Sequence, residues 1–273
     1  MVKDLKARLT LGSCLVAALV GLFILDQTYA GVAMILFVTM TLLAQVELYL
    51  LIKTRKNILF GIFSGALFLA LTWWAPSHRF DGLIVCVVVY LIYEVLTRKV
   101  NNATERLSFT FLPILLLPVL LSYGLLIRQI EGVGWDWLLM LIVGCKVGDS
   151  FAYFAGSAFG RHKLIPEVSP NKSWEGAIAS LVGTLLATFW VASWALADSF
   201  GVSLSYVEWF GAAVIINLSA QFSDLVESLL KRGCGSKDSS SLLPAFGGAF
   251  DMVDSFLLSA PCLYFYLKII GVY

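Results

Sequence analysis

Charged residues are scarce in this sequence. Asp, Glu, Lys and Arg make up only 14% of its 273 residues, whereas soluble domains usually carry about 25%. The formal net charge is +1, so the chain has no bulk attraction for nucleic acid. The two histidines and five cysteines show no metal-like spacing and predict neither a zinc site nor a disulfide framework. The composition therefore argues against a soluble domain and against a nucleic-acid-binding protein.

Apolar residues dominate the rest of the sequence. They account for 59% of it, and the mean hydropathy is +0.87. A helix needs roughly 20 apolar residues to cross the hydrocarbon core of a bilayer. We predict an all-α, polytopic integral membrane protein with about nine transmembrane helices, at residues 9–25, 30–52, 58–75, 82–97, 108–127, 136–157, 175–197, 205–230 and 248–270.

The basic residues predict the orientation of these helices. With nine spans and a cytoplasmic N-terminus, 15 of the 19 Lys and Arg residues fall in cytoplasmic segments and only three on the opposite side. Both polar loops, 160–174 and 231–247, then lie on the cytoplasmic face, where water-soluble nucleotides are available. We expect a multi-pass protein of the cell (inner, cytoplasmic) membrane whose active site faces the cytoplasm.

Polar side chains are unevenly distributed along the chain. Residues 1–130 are hydrophobic segments with short connections, which we interpret as a transmembrane scaffold. Residues 131–273 hold nearly all the candidate chemistry, which we interpret as a catalytic transmembrane region. Glu47 and Glu94 are intramembrane carboxylates of the first part. For each, the sequence leaves open a structural polar bridge or a position at the rim of the site.

The stretch between residues 224 and 254 concentrates carboxylates and cations. Asp224, Glu227 and Lys231 recur at helical spacing and share one helix face. Asp251 and Asp254, three residues apart, share a face of the last helix. A charge at the bilayer centre costs at least about 2.5–3.5 kcal/mol, so these groups must be paired, hydrated or used. Two carboxylates one turn apart repel unless a cation holds them, and oxygen ligands beside phosphates favour Mg²⁺.

A second polar group lies upstream, in the sixth predicted helix. Lys146, Asp149 and Tyr153 follow one another at spacings of three and four and can face one side, where we expect a functional role. In the loop after this helix, Ser173 is predicted to cap the next helix. Lys172, beside the backbone amides of that helix start, would form a phosphate seat.

Small residues recur every four positions in and just after the same helix. Such a stripe lets another helix approach closely, and packing is its preferred interpretation. Its members are Gly144, Gly148, Ala152, Gly156 and Gly160.

Two long motifs carry a resemblance to a known family. The downstream motif comprises Ser228-Leu-Leu-Lys-Arg, Lys237-Asp238-Ser239-Ser240, Pro244, Gly247-Gly248, Asp251 and Asp254. The upstream motif comprises Asp149-Ser-Phe-Ala-Tyr-Phe-Ala-Gly156, Gly160-Arg-His-Lys and Ser169-Pro-Asn-Lys-Ser-Trp-Glu-Gly176. Together they resemble the signature of phosphatidate cytidylyltransferases, also called CDP-diacylglycerol synthases. The resemblance is close over roughly residues 145–260.

The sequence departs from the family pattern at four positions. Phe246 stands where the family usually has His, and Met252 where Arg commonly follows the first Asp. These two changes each remove a polar contact with substrate phosphate or pyrophosphate. Ser223 replaces a usual Gly, and Asn171 a usual Lys. Because both Asp residues of the last helix remain, we expect the metal site to survive.

The resemblance implies transfer of CMP from CTP to phosphatidate, giving CDP-diacylglycerol and pyrophosphate for phospholipid biosynthesis. It implies that Asp224, Asp251 and Asp254 hold Mg²⁺, with or without a second, monovalent cation. Catalytic roles fall to Lys231, Arg232, Lys237, Asp238, Asp149 and Glu227. Substrate contacts fall to Lys172, Ser169, Asn171, Ser239, Ser240, Gly247 and Gly248. The expected partners are CTP, phosphatidate and the bilayer, and the formation of a homodimer is left open.

Two alternatives remain at this stage. A CTP-dependent polyprenol or phytol kinase would also place a nucleotide site at the cytoplasmic face, but it needs a base that the sequence does not identify. A lipid transporter would carry an intramembrane charge pathway. It predicts inverted repeats, which the sequence does not show, and charges spread across the bilayer.

Overall fold

The computed structural model describes residues 31–54, 57–195, 205–236 and 248–272. The predicted helix at residues 9–25 lies outside these ranges. So does most of the loop that links the two parts of the downstream motif, including Lys237, Asp238, Ser239, Ser240 and Gly247.

The described chain is built from consecutive helices and one small hairpin. Its helices are α1 (Val32–Leu51), α2 (Ile58–Trp74), α3 (Arg79–Thr97), α4 (Ala103–Ile114), α5 (Leu120–Arg128), α6 (Gly134–Phe159), α7 (Trp174–Ala195), α8 (Tyr206–Gly233), α9 (Ala249–Val253) and α10 (Phe256–Ile269). A short 3-10 turn (Pro76–His78) precedes α3, and a π-helical turn (Leu115–Val119) joins α4 to α5. Strands β1 (Lys163–Ile165) and β2 (Ser169–Ser173) form an antiparallel hairpin between α6 and α7.

The helices confirm the prediction of a multi-pass membrane protein. Within the described ranges, seven helical segments are long and apolar enough to cross a membrane, and α2 adds a shorter apolar helix of 17 residues. Eight of the nine predicted spans thus have a helical counterpart, and the first lies outside the described residues. Helix α3 buries only Cys86 and Tyr90, so its otherwise apolar surface faces lipid.

Two prolines lie inside the continuous span Ala103–Arg128 without ending it. Pro113 lies in α4 and Pro118 in the π-helical turn, and both are buried. Proline lacks an N–H and clashes with the preceding turn of a regular helix. The wider hydrogen-bonding pattern of the π turn accommodates this defect. The apolar run at 108–127 therefore continues as one span, as predicted.

Helices α6 and α7 pack closely along the small-residue stripe. A Cβ at Gly148 would lie only 2.5 Å from Thr184 Oγ1 and 3.0 Å from Ser180 Oγ. The Thr184 hydroxyl donates a hydrogen bond to the Gly144 carbonyl at 3.0 Å, and Asn217 of α8 donates to both Ser180 and Thr184 at 2.8 and 2.9 Å. The predicted packing role of Gly144 and Gly148 is confirmed.

Glu94 belongs to a polar bridge between the first helices. Arg106 of α4 donates to Glu94 Oε2 from Nε at 3.1 Å and from Nη2 at 2.8 Å. Tyr90 donates to Glu94 at 2.9 Å and lies 3.0 Å from the Thr110 hydroxyl, to which Asn57 also donates. Of the two readings that the sequence left open for Glu94, the structure supports the structural one.

Glu47, unlike Glu94, contacts a helix near the C-terminal end of the chain. Ala44 and Leu48 of α1 share one apolar cluster with Ala249 and Phe250 of α9. Within it, the backbone N–H of Phe250 donates to Glu47 Oε2 at 2.9 Å, and the Glu47 side chain is buried. An N-terminal helix therefore supports the segment that carries the two Asp residues of the downstream motif.

The hairpin is a feature that the sequence analysis did not predict. It leads directly into α7, whose start is capped as expected, since Gly176 N–H donates to Ser173 Oγ at 3.2 Å. Glu175 lies in the first turn of α7 and pairs with His162 Nδ1 at 2.7 Å. These contacts hold the upstream loop against the end of the α6–α7 pair.

Candidate active site formed by two charged clusters

Lys231, near the end of α8, is held between two carboxylates. Its Nζ lies 2.5 Å from Glu227 Oε1 and 3.0 Å from Asp251 Oδ1. The exposed fractions of the three side chains are 13% for Lys231, 4% for Glu227 and 13% for Asp251. We call these three residues the Lys231 cluster. Because Glu227 is buried and the other two are largely shielded from solvent, the loss of one charge would leave the others poorly compensated.

Lys146 of α6 lies among three carboxylates from three elements. Its Nζ is 3.8 Å from Asp149 Oδ2, and electrostatic interactions link it to Asp224 of α8 and to Asp254 between α9 and α10. Asp149 and Asp254 each interact with Asp224 as well. Lys172 of β2 completes the group, with its Nζ 3.2 Å from Asp224 Oδ2. We call these five residues the Lys146 cluster.

The two clusters adjoin and extend into the membrane. Glu227 of the first interacts electrostatically with Asp254 of the second. Lys146 lies about 18 Å, at 1.5 Å per residue, from the start of the 26-residue helix α6. Such a position is near the middle of a helix that is long and apolar enough to cross a membrane, and charges in such spans are rare unless they are paired or used.

Two buried serines fix the backbone that carries Asp254. Ser255 accepts a hydrogen bond from Lys146 Nζ on its hydroxyl at 2.9 Å, and its N–H donates to Asp254 Oδ1 at 2.6 Å. Ser223 of α8 donates to the Asp254 carbonyl and accepts from Leu258 N–H at 3.1 Å. Ser223, which departs from the usual glycine, thus ties α8 to the junction between α9 and α10.

Asp251 is fixed by its own helix start as well as by Lys231. Its Oδ2 accepts a hydrogen bond from Gly248 N–H at 2.8 Å, while Oδ1 faces the ammonium. Glu47 accepts from the next free N–H of the same turn, that of Phe250. Two backbone N–H groups at the start of α9 are therefore each bound by a carboxylate, one from each half of the chain.

Several other residues predicted for the site belong to neither cluster. Arg232 is exposed, and its Nη1 donates to the Ser236 carbonyl at 3.3 Å rather than to either cluster. On strand β2, Lys172 turns toward α8, whereas its neighbour Asn171 is exposed and Ser169 is partly exposed. The predicted residues between 237 and 247 lie outside the described chain.

The three predicted magnesium ligands divide between the clusters: Asp224 and Asp254 belong to one and Asp251 to the other. Among the described residues, no three His, Cys, Asp or Glu side chains are grouped so as to hold a metal ion by themselves. Asp224 Oδ1 is buried and accepts no hydrogen bond from the described chain. Mg²⁺ is commonly bound by one or two carboxylates together with water and substrate phosphates. The arrangement fits a magnesium ion that arrives with a nucleotide better than a preformed metal cage.

Lys146 and Glu47 were not among the site residues that the resemblance implies, although a functional role was expected for Lys146 and a position at the rim of the site was left open for Glu47. Lys146 was grouped with Asp149 by its spacing, and that spacing was the available signal, but its contact with Ser255 depends on a helix far along the chain. Glu47 was visible as an intramembrane carboxylate, yet its partner Phe250 is 203 residues away. Neither contact follows from local sequence.

Comparison with known proteins agrees with the two motifs. The chain matches the cytidylyltransferase family over residues 6–270. It is 31% identical to the phosphatidate cytidylyltransferase of Bacillus subtilis (strain 168) over 97% of this chain and 98% of that protein. It is 29% identical to the enzyme of that name from Thermotoga maritima over 98% and 97%, respectively. A 39% identity to the chloroplastic phosphatidate cytidylyltransferase 5 of Arabidopsis thaliana covers 51% of this chain and 34% of that one. The chain belongs to the cytidylyltransferase family.

Proposed function

We propose that this protein transfers CMP from CTP to phosphatidate, forming CDP-diacylglycerol and pyrophosphate for phospholipid synthesis. The observation that carries the proposal is the meeting of three ammonium groups and five carboxylates in two adjoining clusters. Five of these eight residues belong to the two motifs that resemble the phosphatidate cytidylyltransferase signature, namely Asp149, Lys172, Lys231, Asp251 and Asp254, and all eight lie within residues 145–260. Full-length relatives of that name support the same reaction.

The reaction suits a site made of charges. An ionised phosphate oxygen of phosphatidate is already a nucleophile at neutral pH, so no general base is required. This oxygen attacks the α-phosphorus of CTP, and the bond from that phosphorus to the bridging oxygen breaks, so that pyrophosphate leaves with the electron pair. Most of the rate enhancement must then come from positioning and from stabilisation of phosphate charge.

Side chains of the two clusters would supply this positioning and charge stabilisation. Lys231 and Lys172 would bind phosphate oxygens, and the carboxylates that pair with them would hold their ammonium groups in position. The two clusters hold five carboxylates against three ammonium groups, and this excess of acidic groups favours the binding of a cation such as Mg²⁺. Asp224, Asp251 and Asp254 would hold that ion, which would supply charge stabilisation to the phosphates of CTP.

The position of the label from CTP separates this reaction from that of a lipid kinase. With CTP labelled at the α-phosphate and phosphatidate as acceptor, the proposal predicts label in the lipid and unlabelled pyrophosphate. A kinase would instead move label from the γ-phosphate to an alcohol and release CDP. Transfer of γ-label to the lipid, with none from the α-phosphate, would contradict the proposal.

If the site faces the cytoplasm, a membrane-impermeant reagent should reach Cys234 only from the cytoplasmic side of the membrane. This residue follows α8 directly, three residues after Lys231, and is partly exposed. A charged, membrane-impermeant maleimide should label it in inverted membrane vesicles and leave it unlabelled in right-side-out vesicles. With Cys14, which lies outside the described residues, replaced by Ser in both proteins, the further change Cys234→Ser should abolish this labelling, because Cys86 and Cys145 are buried and Cys262 lies within the α10 span. Labelling from the outside would reverse the proposed orientation.

A further inference from the structure

The ammonium group of Lys146 is fixed from several sides. It donates to the Ser255 hydroxyl at 2.9 Å, lies 4.9 Å from the centre of the Phe256 ring and is 3.8 Å from Asp149 Oδ2. Ser255 in turn holds Asp254 through its N–H. The side chain nevertheless keeps 42% of its surface exposed, so these contacts do not enclose it.

The position of Lys146 among the carboxylates determines the net charge that a metal ion meets there. Asp149, Asp224 and Asp254 interact electrostatically with one another, and without Lys146 one cation fewer would offset their negative charges. Such a group attracts free divalent cations strongly, since the interaction scales with the product of the charges. An ammonium that is part of the protein cannot dissociate, and it repels any metal ion that binds the same carboxylates.

We propose that Lys146 is a built-in counter-cation of these carboxylates, which keeps their affinity for a free divalent cation low. The site would then take up the cation together with the phosphates of a nucleoside triphosphate, whose negative charges offset the repulsion by Lys146. The inference rests on the proposed function, because it assigns the carboxylates to a magnesium–nucleotide site. In this role Lys146 acts on metal binding through the carboxylates, which differs from a simple structural ion pair with Asp149.

The test measures cation binding rather than turnover. Purified protein in detergent is titrated with Mn²⁺ without nucleotide, and free Mn²⁺ is followed by electron paramagnetic resonance. Lys146→Met, which keeps the length of the side chain, should bind Mn²⁺ at least about tenfold more tightly than wild type. Lys146→Arg, which keeps the charge, should bind it like wild type. Adding CTP should increase the Mn²⁺ affinity of wild type more than that of Lys146→Met.

A charge-matched variant serves as the control. In Lys146→Met/Asp149→Asn one acid is removed with the cation, so its Mn²⁺ affinity should return toward the wild-type value. If Lys146→Met proves unstable, its melting temperature should rise more on adding Mn²⁺ than that of wild type. An unchanged Mn²⁺ affinity in Lys146→Met, or an equal rise in melting temperature, would overturn the inference. None of these readouts uses phosphatidate, so they stay separate from a failure to detect CDP-lipid.

Discussion

Asp251→Asn and Asp254→Asn should each lower the rate of CDP-lipid formation by at least about 100-fold, the scale expected for loss of one charge-stabilising group. An amide has the size of the carboxylate but lacks its negative charge, so it neither attracts Mg²⁺ nor holds an ammonium group. Asp251 would lose its ion pair with Lys231, and Asp254 its interaction with Lys146. The measurement is turnover with saturating CTP and phosphatidate, compared at several Mg²⁺ concentrations.

A carboxylate outside the clusters provides the control for these variants. Asp81 lies in the first turn of α3, pairs with His78 and is 70% exposed. Asp81→Asn should therefore keep wild-type activity. Size-exclusion profiles and thermal unfolding must show that all three variants are folded. Wild-type turnover in both Asp251→Asn and Asp254→Asn would remove these residues from the proposed metal site.

Lys231→Met should abolish detectable turnover and also destabilise the protein by about 3–5 kcal/mol, the cost of breaking a buried ion pair from one side. The substitution leaves Glu227, which is buried, and Asp251, which is 13% exposed, facing each other without a cation. It also removes an ammonium group that is proposed to bind phosphate. The two measurements are thermal unfolding in detergent and CDP-lipid formation.

A second substitution separates the two effects of Lys231. The double variant Glu227→Gln/Lys231→Met has fewer unpaired charges in the cluster than Lys231→Met. Its free energy of unfolding should therefore recover substantially, while turnover stays lost. Lys268→Met, at the exposed end of α10, is the matched control and should change neither quantity. Recovery of turnover in the double variant would show that Lys231 serves only the stability of the fold.

The spans and the local parts of the site could be predicted from sequence for physical reasons. Long apolar runs must form helices in a bilayer, since no water is available there to satisfy the backbone. The pairing of Glu227 with Lys231 follows from helical spacing, and the cap by Ser173 follows from residue type at a helix start. These contacts lie within one element or at its end, so the periodicity of the helix determines them.

The contacts between distant elements could not be predicted in the same way. The pairing of Lys172 with Asp224 joins a strand to a helix across 52 residues, and the segment that forms the hairpin was expected only as a polar loop. The separation of Asp251 from Asp254 into different clusters reflects the short helix α9 and the junction after it. Shared helical spacing had suggested one face and one common ligand set.

The central claim is that the protein catalyses the Mg²⁺-dependent transfer of CMP from CTP to phosphatidate. Purified protein in detergent is incubated with labelled CTP, phosphatidate and Mg²⁺, and the lipid product and pyrophosphate are measured with and without EDTA. The account predicts CDP-diacylglycerol and pyrophosphate in equal amounts, formed only while Mg²⁺ is free to bind. Folded protein that forms no CDP-lipid, or forms it equally well in excess EDTA, would contradict it.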